Sequence, residues 1–127
     1  MSIYPIIKMG HPTLREVARP VGLDEIDRPE MHTLIADMVE TLHQAGGIGL
    51  AAPQIDKPIQ LAIIEVPGGP SRYGDIEAIP LTVFFNPVLT VLNPEESGYW
   101  EGCLSVPGLR GFVYRPQHVH VDYTTIS

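Results

Sequence analysis

The sequence predicts an α+β fold, and three observations carry the prediction. One strongly amphipathic helical segment occupies the first half of the chain, five or six β-type runs follow it, and turn-forming residues are frequent, with 12 glycines and 13 prolines in 127 residues. At 44% hydrophobic and 18% charged residues the chain has the apolar mass for a packed core, and it is expected to form one domain over residues 1–127. Because the β-type runs succeed one another without intervening helices, antiparallel or mixed sheets are expected.

The elements follow in chain order. Gly10-His11-Pro12 introduces a short helix, with His11 as N-cap and Pro12 at the first helical position, where a missing N–H costs nothing; Arg19-Pro20 ends it. From Asp27 the pattern strengthens. Met31, Leu34, Ile35, Met38, Val39 and Leu42 recur at the period of an α-helix, Asp27 and Glu30 read as a capping box, and Gly46-Gly47 stops the helix. Strand signals then appear at Gln60–Val66, Leu81–Phe85, Val88–Leu92, Phe112–Tyr114 and His118–Tyr123, each bounded by Pro, Gly or Asn, with Pro67–Tyr73 read as a loop. One helix is little cover for that much sheet. The strand faces therefore need a further partner, either the chain's own continuation or another chain.

Charge narrows the function classes. Eight Lys+Arg against 15 Asp+Glu give a net charge of −7, and the scattered basic residues form no cationic stripe of the kind DNA or an anionic membrane requires. The single cysteine, Cys103, cannot close an internal disulfide. No run approaches the length of a membrane span, and Met1–Lys8 lacks a secretory pattern, so the expected location is cytoplasmic.

Two segments carry chemistry. Gly47-Ile48-Gly49-Leu50-Ala51-Ala52-Pro53-Gln54 is uncharged and small. It reads either as a helix C-cap with a turn, or as exposed backbone that holds an extended peptide by strand addition beside the Gln54 amide, a donor suited to a developing oxyanion. In Glu101-Gly102-Cys103-Leu104-Ser105 the thiol is either a small buried apolar group or a reachable sulfur with a peptide N–H beside it.

Together these segments resemble peptide deformylase, the metallohydrolase that removes the formyl group from N-terminal formylmethionine. Gly47, Gly49, Ala51, Ala52 and Gln54 match that family's first motif, and Glu101 to Ser105 match its second at every position. The likeness extends to the Lys8-Met9-Gly10-His11-Pro12 start, Leu14-Arg15, the long helix, and Val106-Pro107-Gly108-Leu109-Arg110-Gly111. It implies that Cys103 is a thiolate ligand to one divalent metal ion, iron(II) or zinc. It further implies that Gln54 and the backbone N–H of Leu104 hold the formyl oxygen. Ile48, Gly49 and Gly102 would then pair with the substrate backbone, while Tyr99, Glu101 and Arg110 surround the methionine side chain. The implied partners are N-formylmethionyl peptides, with a ribosome contact allowed. The family's third motif, a helical His-Glu-x-x-His, is absent from these 127 residues, so the chain is expected to be truncated, its metal site incomplete and its own activity lost. His118 and His120, two apart on one strand face, are the only substitutes suggested by spacing, although the same alternation describes an exposed polar face. A catalytically silent module that binds peptide N-termini by strand addition is the alternative function.

Overall fold

A computed structural model describes residues 2–71 and 74–126. His11 caps a single 3-10 turn, Pro12–Arg15, its Nδ1 accepting the Thr13 N–H at 3.2 Å. The turn stops at Arg15, four residues before the expected end. The segment beyond is extended, and Arg19 spends its backbone groups on the loop before the sheet, donating to Pro58 O at 3.0 Å and accepting from Gln60 N at 2.9 Å.

A short helix, α1 (Leu23–Ile26), precedes the long one, α2 (Pro29–Ala45). The expected capping box at Asp27 and Glu30 is not there. Asp27 closes α1, Arg28 is the N-cap of α2 without a side-chain bond, and Pro29 sets the start because its fixed φ and missing N–H suit the first helical position. The reciprocal pair lies one helix earlier, where the Gly22 N–H reaches Glu25 Oε1 at 3.1 Å and the Glu25 N–H reaches Gly22 O at 2.9 Å. At the other end Gly46 takes a left-handed conformation (φ 72°), donating back to Leu42 O and His43 O as the sequence leads one to expect. Four of the six stripe residues, Met31, Ile35, Met38 and Leu42, are buried.

The main sheet is antiparallel, in the order β1 (Gly49–Ala51), β2 (Leu61–Val66), β5 (Ile79–Cys103), β6 (Val106–Thr124). A 3-10 turn, Ala52–Ile55, follows β1 directly. The segment read as a loop after Pro67 contains a small antiparallel pair, β3 (Gly69–Ser71) with β4 (Gly74–Ile76); residues 72 and 73 lie outside the described residues. The strands expected at Leu81–Phe85 and Val88–Leu92 are one strand, and those at Phe112–Tyr114 and His118–Tyr123 are another. Pro87 and Pro94 explain the difference. Each lies where the β5–β6 register shifts, between Phe85 and Val88 and between Asn93 and Glu96, so irregularities absorb the missing donors without ending the strand. Asn86 helps at the first shift: at φ 52° it turns its side chain onto Val21, accepting from the N–H at 2.7 Å and donating to the carbonyl at 2.8 Å.

The core lies between α2 and the inner half of the sheet, where Met38, Leu42, Leu50, Ile63 and Phe85 interlock. Burial stops abruptly after Phe85. Phe85 is fully enclosed whereas Val88 is 59% and Leu89 69% exposed, so the outer part of the hairpin carries uncovered apolar side chains on both faces. Truncating Phe85→Ala should therefore cost about 3–5 kcal/mol, against less than about 0.5 kcal/mol for Val88→Ala, read from urea unfolding midpoints.

Candidate functional site

The two chemistry-bearing segments meet at the inner tip of the β5–β6 hairpin. Cys103, the last residue of β5, pairs with Val106 across a turn made by Leu104 and Ser105. Its thiol is free and exposed, which removes the buried-residue reading. Leu104 folds inward and fills the space left by Gly47: a Cβ there would lie 2.9 Å from Leu104 Cδ1 and 3.1 Å from Leu42 Cδ1. The missing side chain of Gly47 thus lets the hairpin tip settle against the end of α2. Gly49 differs, since a Cβ there would find only ordinary contacts, the nearest 3.5 Å away at Ile63 O.

Gln54 stands on the turn after β1, with its amide oriented by its neighbours. The Ala51 N–H can face only an acceptor, so Oε1 lies on it at 2.9 Å; Nε2 is thereby turned to Ser105 Oγ at 3.2 Å and Cys103 Sγ at 3.6 Å. Beside this junction opens a cleft of about 1640 Å³. All nine residues singled out from sequence line it, namely Ile48, Gly49, Gln54, Tyr99, Glu101, Gly102, Cys103, Leu104 and Arg110. On the other side β1 is an edge strand, paired only with β2, and its outer edge is open apart from the Ala51 N–H that Gln54 holds.

Several features of the cleft were not legible in the sequence. Glu101 is gripped by Arg115, with Nη2–Oε1 at 2.7 Å and Nε–Oε2 at 3.0 Å, and Tyr99 donates its hydroxyl to Gln117 Oε1 at 2.8 Å. The Arg115 hydrogen bonds hold the Glu101 carboxyl below its ordinary range, outweighing the opposing effect of partial burial. His43, from the last turn of α2, is hydrogen-bonded to Glu65 on the cleft wall, and Trp100 and Leu109 also line the cleft. Arg115 is far from Glu101 in sequence. Only the hairpin register, which sets Glu101 opposite Gly111 and Ser97 opposite Arg115, brings the pair together diagonally.

The described residues do not form a complete metal site. Cys103 is the one candidate ligand at the junction, and no group of three or more His, Cys, Asp or Glu able to hold a metal occurs among the described residues. His118 and His120 do not join it. They pair with Asn93 and Thr90 high on the hairpin, 12 residues beyond Val106 for the nearer one, or about 40 Å of strand. His120 lies 3.1 Å from Asp122 on the exposed face.

The arrangement of an exposed thiol, an oriented glutamine amide and a free strand edge has counterparts in known proteins. Residues 3–127 match the family model for polypeptide deformylase. The chain belongs to the polypeptide deformylase family. It is 48% identical over 120 residues to peptide deformylase 2 of Pseudomonas syringae pv. tomato, covering 94% of this chain and 66% of the relative. With the peptide deformylase of Leptospira biflexa it shares 40% identity over 123 residues, 97% of this chain and 69% of the relative. Among solved structures, a class I type b peptide deformylase from Acinetobacter baumannii bound to Met-Ala-Ser superposes with a TM-score of 0.91 at 34% identity, over 98% of this chain and 79% of that one. The actinonin complex of the peptide deformylase from Ehrlichia chaffeensis gives 0.85 at 30% identity, over 98% and 70%. The chain thus spans about two thirds of the length of the curated relatives it matches. The α+β fold and antiparallel sheet expected from sequence are those of the deformylases. Among the described residues no helix is long and apolar enough to cross a membrane.

The Glu101–Arg115 pair has a pH signature. Because the carboxyl pKa is lowered in the fold, the pair's contribution is fully present above the unfolded value of 4.5 and is lost as pH falls through the lower folded value. Arg115→Gln should therefore be less stable than the parent at pH 7, and the two unfolding midpoints should converge below pH 4.5.

Proposed function

We propose that the full protein removes the formyl group from N-terminal formylmethionine of nascent polypeptides in the cytoplasm. The convergence of the Gln54 amide and the Cys103 thiol at the mouth of one peptide-sized cleft carries this reading. In it, the substrate backbone adds as a strand along Ile48 and Gly49, with Gly102 on the opposite bank, and the methionine side chain lies among Tyr99, Glu101 and Arg110. The formyl carbonyl then sits before Gln54 Nε2 and the Leu104 N–H. Attack of a water oxygen on the formyl carbon moves charge to the carbonyl oxygen, donors already held in place stabilise it without reorganising, and a proton of that water passes to the departing nitrogen. Cleavage of the C–N bond gives formate and a free α-amino group.

A divalent metal ion, iron(II) or zinc, belongs to this reading. Cys103 alone does not make its site, and further ligands must come from outside the described residues. A ribosome contact would fit a substrate that is a nascent chain.

The test uses the full protein and formyl-Met-Ala-Ser, with formate release as the signal. Gln54→Ala should lower kcat/KM about 100-fold or more, the usual effect of removing one oxyanion donor. Cys103→Ala should abolish turnover and the bound metal together, measured by elemental analysis. Turnover that survives Cys103→Ala would refute the proposal, and formyl-peptide binding without formate release would favour the silent binding module.

A further inference from the structure

Behind the cleft, backbone and side-chain contacts converge on Gln54 and Ser105. Ser105 is 3% exposed, and its Oγ accepts one hydrogen of Gln54 Nε2 at 3.2 Å. With Oε1 held on the Ala51 N–H, that contact leaves the other Nε2 hydrogen directed to the thiol side, where a ligand oxygen would lie. The N-terminal segment ties the two residues from the rear. The Ile7 N–H donates to Gln54 O at 2.8 Å and the Met9 N–H donates to Ser105 O at 2.8 Å. That segment is itself pinned to α2 by polar side chains buried in the helix face, Ser2 N on Asp37 Oδ1 at 2.8 Å and Tyr4 N on Thr41 Oγ1 at 3.0 Å.

We propose that Ser105 is a positioning residue for Gln54, and that residues 2–9 form a strap that fixes the distance between them. Ser105 touches no reacting atom in this assignment. It acts by denying the Gln54 amide its other rotations, so that one hydrogen is spent on the protein and the second is kept for the substrate oxygen. The inference rests on the deformylase reading for its kinetic consequence, but its structural content stands apart from it.

Two measurements on the full protein decide it. In a nitrogen-15 spectrum, the Gln54 side-chain NH2 pair, identified by its loss in Gln54→Ala, should move on Ser105→Ala while the backbone spectrum of α2 stays in place. In kinetics with formyl-Met-Ala-Ser, Ser105→Ala should lower kcat about 10-fold with KM within twofold, and should change kcat less than twofold when Gln54 is already alanine. Met9→Pro, which deletes the strap's donor to Ser105, should lower kcat in the same manner. An unmoved Gln54 NH2 pair, or an equal fall of kcat in both backgrounds, overturns the assignment. Absence of formate release by the parent protein would instead refute the deformylase reading, and the NH2 pair would still decide the role of Ser105.

Discussion

The space left empty at Gly47 is the constraint on which the rest of the site depends. Leu104 and Leu42 close around it, so the end of the long helix, the start of β1 and the tip of the β5–β6 hairpin share one packed joint. Everything chemical hangs from that joint. Cys103 precedes Leu104, Ser105 follows it, and Gln54 comes one short turn after the strand that Gly47 leads into. A side chain at position 47 would meet the methyl ends of Leu104 and Leu42 and force the Leu104 side chain out of its place in the joint. Small residues in this segment therefore serve two purposes: Gly47 admits a neighbour from the same chain, whereas Gly49 has ordinary space on its inner side and keeps a strand edge open on the other.

Legibility differed between the parts of the fold for identifiable reasons. The long helix was readable because its stripe at Met31, Ile35, Met38 and Leu42 is a local pattern that packing only reinforces. Its start was misjudged because Asp27 and Glu30 have capping chemistry, yet Pro29 dictates the backbone. Among the strands, Asn86-Pro87 and Asn93-Pro94 looked like boundaries since proline breaks a ladder of donors; in a hairpin this long the ladder simply shifts register and resumes. At three residues β1 is too short for any alternation to show. In the site, motif residues adjacent in sequence were found together, but Arg115 and Ser105 gain their partners from hairpin register and from a turn, neither of which a linear reading displays.

Packing is divided unevenly along the molecule. The inner half of the sheet shares a core with α2, and the cleft opens where that core ends, with the hairpin tip as its far bank. The outer half, from Val88 to Leu92 and back through Val119, carries apolar side chains into solvent. Aromatic pairs flank this stretch, Phe84 with Tyr123 on the core side and Trp100 with Phe112 toward the tip. Rigid support is thus concentrated at the end that holds the thiol and the amide, which is the end where a fraction of an ångström matters.

The two register shifts at proline have a chemical consequence as well. Asparagine ages when its side-chain carbonyl carbon is attacked by the backbone nitrogen of the following residue, closing a succinimide ring that opens to aspartate or isoaspartate. Both asparagines of this chain, Asn86 and Asn93, are followed by proline, whose ring nitrogen has no hydrogen to give up in that attack. The same prolines that shift the hairpin's register thus deny it the common route to deamidation. Asn86, whose amide grips both backbone groups of Val21, is thereby spared the succinimide route that would take away its donor.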